Sequence, residues 1–296
     1  KSKKRHDFRS LDYRYRSKRS VEFKVTGEKR AKLYLMNVGD IKVHMHRLLP
    51  EGAQIRFVSV LHDTDDTYWA SLQIRFEAEE APIHLGCVVG IDLGLHYLLA
   101  LSNGEVVENP RWYRTSKRKR RVIGRKLTRS QRATNPQNYN EDKTTKKDVF
   151  IWHKSTRYKT TLVTFRRQEA RIARQRRHFW DVLTYRLTRE FSVIALEDLT
   201  LEFMQKNKRL AMSVYDAGFG MFWSMLKYKA KRTGTRLIFV PPQYTSQTCS
   251  ACGFTAADNR KTQADFTCVA CGNHENADIN AAKNILARAR LAEAWA

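Results

Sequence analysis

After an almost basic tract over residues 1–20, apolar and polar side chains alternate up to about residue 80, a pattern typical of half-buried β-strands. The alternation is clearest over 32–47 and 52–79, and in the second range the turn-rich segment HDTDDT separates two alternating runs. This arrangement predicts a β-hairpin inside a small β-module with basic faces over residues 1–80. The segment EAEEAPIH (77–84) contains an acidic cluster and a proline, which predicts a linker.

From residue 86 the pattern changes to uninterrupted apolar runs and long amphipathic stretches. The runs CVVGIDLG and YLLALSNGE predict two strands joined by a short turn, and SVIALEDL and RLIFVPP predict two more. Helices are predicted over 111–132, 154–191 and 213–234, the last ending at Gly234, with a loop over 133–148. The outer face of the second helix is basic and carries Arg166, Arg167, Arg171, Arg174, Arg176 and Arg177.

Charge is the outlying feature of the composition. The chain has 55 Lys and Arg against 30 Asp and Glu, a net charge of +25, while its 42% hydrophobic content suits a globular protein. Such a basic surface favours a polyanionic partner, with nucleic acid as the default. A membrane surface is the rival, but no apolar run approaches the roughly 20 residues of a spanning helix, so no membrane partner is expected. The chain shows no secretory signal pattern, although it opens without a Met.

Four of the five cysteines form two Cys-x2-Cys pairs separated by 15 residues: Cys249, Cys252, Cys268 and Cys271. Four thiolates complete a tetrahedral Zn²⁺ site that is closed and therefore structural, and this spacing makes a redox pair or free thiols the weaker interpretations. His274 is not expected to be a ligand because four sulfurs fill the shell. Cys87 lies alone in an apolar run and is expected to be a small core residue. This cysteine usage indicates a reducing, cytoplasmic compartment.

Three carboxylates occupy unusual positions. Asp92 lies inside an apolar strand, Glu197 directly follows another apolar run, and Asp278 begins a predicted helix. Each has an ordinary alternative, respectively a turn cap, the end of an edge strand and a helix N-terminal acid. Together they match what a metal-dependent nuclease needs, because Mg²⁺ prefers carboxylate oxygens and two such ions can activate water and stabilise the leaving oxygen.

The neighbourhood of these carboxylates leaves one choice open and raises one expectation. Asp198 is a possible substitute for Glu197, since alternation along a strand points the two side chains to opposite faces and the pattern does not choose between them. Gly90 and Gly94 flank Asp92, and we expect them to leave room for an ion and a phosphate beside the backbone.

Three motifs resemble those of a known family. GIDLG, IALEDL and NADINAAKNI look like the three motifs of a RuvC-like nuclease domain, which has the RNase H fold. The cysteine pairs lie between the second and third motifs, as in transposon-encoded TnpB proteins and the related compact type V CRISPR effectors, which are RNA-guided DNA nucleases. Residues 207–234 also resemble the segment that TnpB proteins carry after the second motif.

The resemblance implies an α/β fold: an RNase H-like RuvC domain with an inserted zinc ribbon, preceded by a β-barrel-like wedge module. It implies Asp92, Glu197 and Asp278 as catalytic residues and Mg²⁺ ligands, and it selects Glu197 over Asp198. The paired cysteines become the Zn²⁺ ligands. The implied domains are a partial wedge at 1–80, the RuvC domain at 86–241, the zinc ribbon at 242–274 and the last RuvC helix at 275–296.

The departure from the family lies at the front of the chain. Family members have an N-terminal strand, a helical recognition region and then the rest of the wedge, whereas residues 1–80 resemble only the last of these. Either the chain is a fragment or this member is reduced. The expected partners are a guide RNA and a target DNA, bound through the basic stretches and by stacking on Trp112, Tyr113 and Tyr158.

Two other functions remain open. The first is an RNA-guided DNA-binding protein or transposition regulator that does not cut. The second is a guide-independent RuvC-type resolvase acting on branched DNA. The intact carboxylates oppose the first, while the zinc ribbon and the basic wedge oppose the second.

Overall fold

The computed structural model describes residues 10–14, 20–77, 87–198, 211–262 and 264–293 of the chain. It has two compact units, one made of residues 1–80 and 119–171, and the other of residues 81–118 and 172–296. Almost all of the predicted linker at 77–84 lies outside the described residues.

The first unit contains the predicted β-module as two antiparallel sheets of three strands, ordered β1-β5-β6 and β2-β3-β4. Its core cluster contains Val21, Leu33, Leu35 and Val58. The predicted hairpin is confirmed. Strand β1 was not predicted, because it lies in the basic tract over residues 1–20. The strands are β1 (Ser10–Arg14), β2 (Val21–Gly27), β3 (Arg30–Leu35), β4 (Gly39–His44), β5 (Gln54–His62) and β6 (Tyr68–Arg75).

Two long helices run through both units, α1 (Trp112–Thr134) and α2 (Thr156–Glu190), close to their predicted bounds. In the first unit Arg120 and Glu169 join them through two parallel hydrogen bonds. The loop between the helices contains a short 3-10 helix, Pro136–Asn138.

The second unit is built on a five-stranded sheet ordered β11-β10-β7-β8-β9. Strands β7, β10 and β11 are parallel, whereas β8 and β9 are antiparallel to their neighbours. The sheet strands are β7 (Val88–Leu93), β8 (Tyr97–Leu101), β9 (Val106–Glu108), β10 (Val193–Glu197) and β11 (Arg236–Val240), and a separate two-stranded ribbon contains β12 (Asp265–Thr267) and β13 (His274–Asn276).

Helices cover both faces of this sheet. On one face, Ile91 and Leu196 pack in the main core with residues of α2 and of α4 (Phe219–Thr233). On the other face, Ala195 packs against Ile285 of α5 (Ala277–Glu293). The prediction of a single helix over 213–234 is wrong in one respect. The helix is broken at Gly218, which has a φ of 71° and lies between α3 (Ala211–Ala217) and α4. Its predicted end at Gly234 is confirmed.

Three further predictions are corrected. Trp112 is not a surface stacking residue, because it is 8% exposed and belongs to the main core. Arg176 is not part of an exposed basic face, since it is buried and its guanidinium donates to Asp216 at 3.0 Å. Cys87 is exposed rather than buried, because it precedes the first residue of β7.

Among the described helices, none is both long and apolar enough to cross a bilayer.

Candidate active site

Two of the predicted carboxylates lie at the ends of neighbouring parallel strands. The last registered pair between β10 and β7 is Leu196 with Ile91, so Glu197 and Asp92 are the next residues on their strands. Residues at matching positions of parallel strands point to the same face of a sheet. Because Ile91 and Leu196 point into the main core, Asp92 and Glu197 point to the opposite face, which α5 covers.

Strands are added to opposite sides of β7 before and after this point in the chain. From β7 the chain continues to β8 and β9 on one side, and it later returns to form β10 on the other side. In open α/β sheets, ligands bind beyond the carboxyl ends of the strands at such a switch point. Asp92 and Glu197 are therefore placed where the topology favours a ligand site.

Helix α5 supplies the third carboxylate. Asn276 caps this helix, its side-chain oxygen accepting hydrogen bonds from the backbone N–H groups of Asp278 and Ile279 at 3.0 and 3.3 Å. Asp278 therefore lies in the first helical turn, where the helix dipole stabilises a negative charge. The side chain is buried, with an oxygen 3.9 Å from the position that a Cβ on Gly94 would occupy.

The two glycines beside Asp92 have different roles. A Cβ on Gly90 would lie 2.1 Å from the carbonyl oxygen of Ala282 and 2.8 Å from the backbone nitrogen of Leu286. The space at Gly90 is therefore filled by α5, and the expectation that this glycine leaves room for an ion and a phosphate is wrong. At Gly94 a Cβ would lie 2.8 Å from the carbonyl oxygen of Tyr97 and 3.9 Å from a carboxylate oxygen of Asp278, so this glycine borders the third carboxylate.

The three carboxylates influence one another electrostatically. Burial, together with the negative charges of Glu197 and Asp278, raises the pKa of Asp92 well above its ordinary value. Burial also raises the pKa of Glu197 and that of Asp278. The negative charges of the carboxylates at this end of the sheet are therefore not fully balanced by neighbouring cations, as expected of a site that binds a cation.

Glu197 has a specific hydrogen-bond donor, the hydroxyl of Thr245. This bond and the positive charge of Arg288 lower the pKa of Glu197, opposing the effect of burial. Asp198, by contrast, is exposed. The structure therefore places Glu197, and not Asp198, in the charged group with Asp92.

Arg260 is a member of this group that the sequence analysis missed. Its guanidinium lies 3.4 Å from a carboxylate oxygen of Asp278, and its positive charge lowers the pKa of both Asp278 and Asp92. His96 also lowers the pKa of Asp278. The sequence shows Arg260 only as a basic residue between the two cysteine pairs. Lys261 beside it has the same charge and position, so the sequence does not indicate which of the two lies near the carboxylates.

The four paired cysteines are brought together as predicted. Their sulfurs all lie within 4.8 Å of one another, at 3.7 Å for Cys249–Cys271 and 3.6 Å for Cys252–Cys268. A tetrahedral ion with metal–sulfur bonds of about 2.3 Å requires sulfurs roughly 3.8 Å apart, whereas a disulfide requires about 2.05 Å. The cluster could therefore hold a metal ion such as zinc.

Within the described residues this is the only group of metal-binding side chains with such close ligand atoms. Asp92, Glu197 and Asp278 are not such a group among these residues, and Asp92 is related to the other two through their charges.

Helix α5 connects the cysteine cluster to the carboxylates. The amide of Asn280 donates to the carbonyl of Thr248 at 2.8 Å, and its oxygen accepts from the backbone of Ser250 at 2.8 Å. The amide of Asn284 donates to the carbonyl oxygens of Thr245 and Thr248 at 2.9 and 2.6 Å. One helix therefore holds both the knuckle around Cys249 and the residue that donates to Glu197.

Two family models match the chain. One, described as "Probable transposase", covers residues 71–208, which contain Asp92 and Glu197. The other, described as "Cas12f1-like, TNB domain", covers residues 219–285, which contain the paired cysteines and Asp278.

The chain is also similar to curated proteins. It is 32% identical over 255 residues to a "Putative RNA-guided DNA endonuclease" of Streptomyces pristinaespiralis, with 86% of this chain and 58% of the relative covered. It is 30% identical over 236 residues to "Putative RNA-guided DNA endonuclease InsQ" of Escherichia coli K12, with 74% and 53% covered. The chain thus spans a little over half the length of these relatives. The resemblance to TnpB-type nucleases and compact CRISPR effectors is confirmed.

A solved structure shares the fold. The protein in "Cryo-EM structure of the Cas12f1-sgRNA-target DNA complex" matches 93% of this chain and 58% of its own, with a TM-score of 0.53 and 16% identity. The predicted α/β class of the fold is confirmed, and the fold is similar to that of the protein in this complex.

Proposed function

We propose that this chain carries the nuclease site of an RNA-guided, Mg²⁺-dependent DNA endonuclease. The observation that carries the proposal is the placement of Asp92 and Glu197 on one face of neighbouring parallel strands, with Asp278 on the helix that covers this face. The order of the motifs and the cysteine pairs before Asp278 support an RNase H-like RuvC domain with a zinc ribbon.

The donor set fits Mg²⁺ because it consists of carboxylate oxygens whose negative charges raise the pKa of Asp92. Asp92, Glu197 and Asp278 would hold the metal, with two ions expected; when bound, Mg²⁺ activates water and stabilises the leaving oxygen of a phosphodiester. Thr245 orients the carboxylate of Glu197 by donating to it, and Arg260 offsets the charge of Asp278. The paired cysteines hold a structural Zn²⁺ that organises the ribbon carrying Arg260.

The partners in this proposal are a guide RNA and a target DNA. The net charge of +25 favours a polyanion, and the two curated relatives are named RNA-guided DNA endonucleases. Base pairing with the guide would select the target, while the protein would contact the phosphate backbones.

A cleavage assay with matched variants tests the proposal. The purified chain, with its co-purifying RNA, is incubated with Mg²⁺ and labelled DNA that carries the sequence complementary to this RNA. We expect the wild type and Asp198→Asn to cut, whereas Asp92→Ala and Glu197→Gln should lose cleavage and retain nucleic-acid binding. Cleavage by Asp92→Ala at the wild-type rate would refute the carboxylate assignment. If instead ribonuclease treatment leaves cleavage of branched DNA unchanged, the chain acts as a guide-independent resolvase.

A further inference from the structure

The part of α1 that lies in the first unit has an arginine stripe, formed by the exposed Arg121, Arg125 and Arg129 and the half-buried Arg132. Their spacing of four, four and three residues places them within about 80° of the helix circumference. The opposite side of the helix carries the buried Ile123. The stripe therefore faces away from the core of the unit.

The stripe borders a groove that is suited to an anion. The groove has a volume of about 550 Å³ and is lined by Gly124, Arg125, Thr128, Arg129 and Arg132. Helix α1 contains no Asp or Glu, and a Cβ at Gly124 would meet no atom within 4 Å. Among the described residues, the buried Nε of Arg132 has no hydrogen-bond partner. The exposed guanidinium groups of Arg125 and Arg129 are the donors that a phosphate oxygen in the groove would meet.

An aromatic tip continues the stripe at its C-terminal end. The guanidinium of Arg132 lies over the ring of Tyr139, 5.6 Å from its centroid, and Tyr139 packs edge-on against Trp152. The amide of Asn138 donates to the carbonyl of Ile151 at 2.7 Å, which joins the short 3-10 helix to the end of the loop. The tip is thus an ordered continuation of the stripe.

Phe150 and Ile151 at this tip are 87% and 69% exposed. Two adjacent large apolar side chains on a structured loop point to an interaction surface. The surrounding charge indicates the partner, because the arginine stripe and the exposed Lys146 and Lys147 are basic. Exposed aromatic rings beside a basic track are the features with which proteins bind single-stranded nucleic acids, phosphates on the cations and bases on the rings.

We propose that the arginine stripe and Phe150 bind a segment of single-stranded nucleic acid, with phosphates on the arginines and an unpaired base stacked on Phe150. A duplex would keep its bases stacked inside and leave the ring without a partner. A ribose 2′-hydroxyl can accept hydrogen bonds from arginines as well as donate them, so the groove is chemically suited to DNA and RNA alike, and the binding of oligothymidine and oligouridine distinguishes the two sources. The inference rests on the proposed function only in taking nucleic acid as the partner.

Binding of a labelled oligothymidine to the full chain, in buffer without Mg²⁺, tests the stripe. The variant Arg125→Glu/Arg129→Glu should bind at least tenfold more weakly than the wild type. Its plot of log affinity against log salt should also be shallower, by about 0.7 for each phosphate that the variant no longer neutralises. Lys126→Glu/Lys119→Glu is the matched control, because these exposed lysines lie on the same helix away from the stripe. Equal weakening in the two double variants would overturn the proposal, since net charge alone would then explain binding.

Two further comparisons test the stacked base and the identity of the partner. Phe150→Ala should weaken binding roughly 5- to 100-fold and Phe150→Trp should preserve it. Unchanged binding of Phe150→Ala, or tighter binding of duplex DNA than of oligothymidine, would overturn the assignment. The relative affinities of oligothymidine and oligouridine show whether the bound strand is DNA or RNA. Melting curves confirm that each variant is folded. Because the assay omits Mg²⁺ and leaves Asp92 intact, its outcome is independent of whether the carboxylates cut DNA.

Discussion

The hydroxyl of Thr245 donates a hydrogen bond to the carboxylate of Glu197, at the carboxyl end of strand β10. The same hydroxyl contacts the carbonyl of Pro242 at 3.1 Å, and the backbone carbonyl of Thr245 accepts from Asn284. Glu197 is thus oriented by a residue that helix α5 holds in place. The arrangement joins a strand carboxylate and a helix carboxylate, Asp278, into one positioned group.

Replacing Thr245 by valine should impair metal use rather than folding. Valine keeps the shape but removes the donor, so Glu197 loses a hydrogen bond that orients it. Partners that orient metal ligands typically contribute about 10- to 100-fold in metal affinity or activity. We expect this loss in the Mg²⁺ dependence of cleavage and in Mn²⁺ binding measured by calorimetry.

Two variants make the Thr245 prediction specific. Thr245→Ser retains the hydroxyl and should restore metal binding. Thr248→Val removes a neighbouring hydroxyl that bonds the carbonyl of Tyr244 and not a carboxylate, so it should behave like the wild type. Equal metal affinity in the Val and Ser variants at position 245 would contradict the orienting role.

Asp92→Asn should stabilise the metal-free protein near neutral pH. The folded-state pKa of Asp92 is raised, so the native state holds more protons than the unfolded state at pH values between the ordinary and the raised pKa. Stability contributed by this group is present at low pH and is lost as pH rises through the folded pKa. Asparagine carries no charge at any of these pH values, so the variant does not lose this stability. Each kcal/mol gained in the free energy of unfolding should raise the melting midpoint by about 2–4 °C.

The response to Mg²⁺ should be opposite. A ligand that binds only the folded state stabilises it, so Mg²⁺ should raise the midpoint of the wild type. It should do so much less in Asp92→Asn, which lacks the charge. A variant that melts below the wild type in metal-free buffer at neutral pH would contradict the electrostatic account.

Sequence patterns predicted the elements that have strong local signals. Alternation located β5 and β6, apolar runs located β7, β8 and β10, and the spacing of the cysteines predicted their cluster. Strand β1 was missed because it is only five residues long and lies in a basic tract, and its strand conformation depends on pairing with β5, in which Tyr13 lies opposite Val58. Pairing of this kind is a tertiary effect that local propensity does not contain.

The candidate site was only partly predicted, because some of its residues come together only through tertiary packing. Asp92 and Glu197 were recognisable as carboxylates in apolar strands and Asp278 as an acid at the start of a helix, and the motif resemblance selected Glu197 over Asp198. Arg260 and Thr245 carry no distinctive pattern, because they become relevant only when the ribbon folds onto α5. Trp112 illustrates the reverse case: an aromatic in a basic stretch favoured a surface role, but tertiary packing buries it.

Removal of zinc should unfold the ribbon selectively. Among the residues that the structure describes, the buried cluster around the cysteine site contains only Cys249, Phe266, Cys268 and Ala277, too small a core to be stable alone. Treating the protein with a zinc chelator, or replacing Cys252 by serine, should expose the ribbon amides to fast hydrogen exchange while the sheet amides of β7 and β8 stay protected. Cys87→Ser is the control, since Cys87 is outside the cluster. Slow exchange of the ribbon amides after metal removal would show that the ribbon does not depend on the ion.

Gly90→Ala should displace α5 and, with it, Asp278. The added Cβ would meet backbone atoms of Ala282 and Leu286, which have no flexible end to move aside. Overpacking of this kind typically destabilises by about 1–3 kcal/mol. Gly124→Ala is the control because its Cβ meets no neighbour, and a helical Gly→Ala change should stabilise by about 0.5–1 kcal/mol. Chemical denaturation of both variants checks the prediction, which fails if the two changes have the same sign.

The buried pair Arg176–Asp216 should be the costliest ion pair to break in the second unit. Asp216 accepts from the guanidinium at 3.0 Å and from the backbone N–H of Tyr113 at 2.9 Å, which ties α1, α2 and α3 together. Arg176→Met leaves the carboxylate buried without its cation, a change that typically costs about 3–5 kcal/mol. The control is Glu105→Gln, which breaks the pair of Glu105 with Arg186, whose side chains are 33% and 45% exposed. Such exposed pairs contribute about 0–1 kcal/mol, so denaturation curves in which the two variants lose equal stability would disprove the ranking.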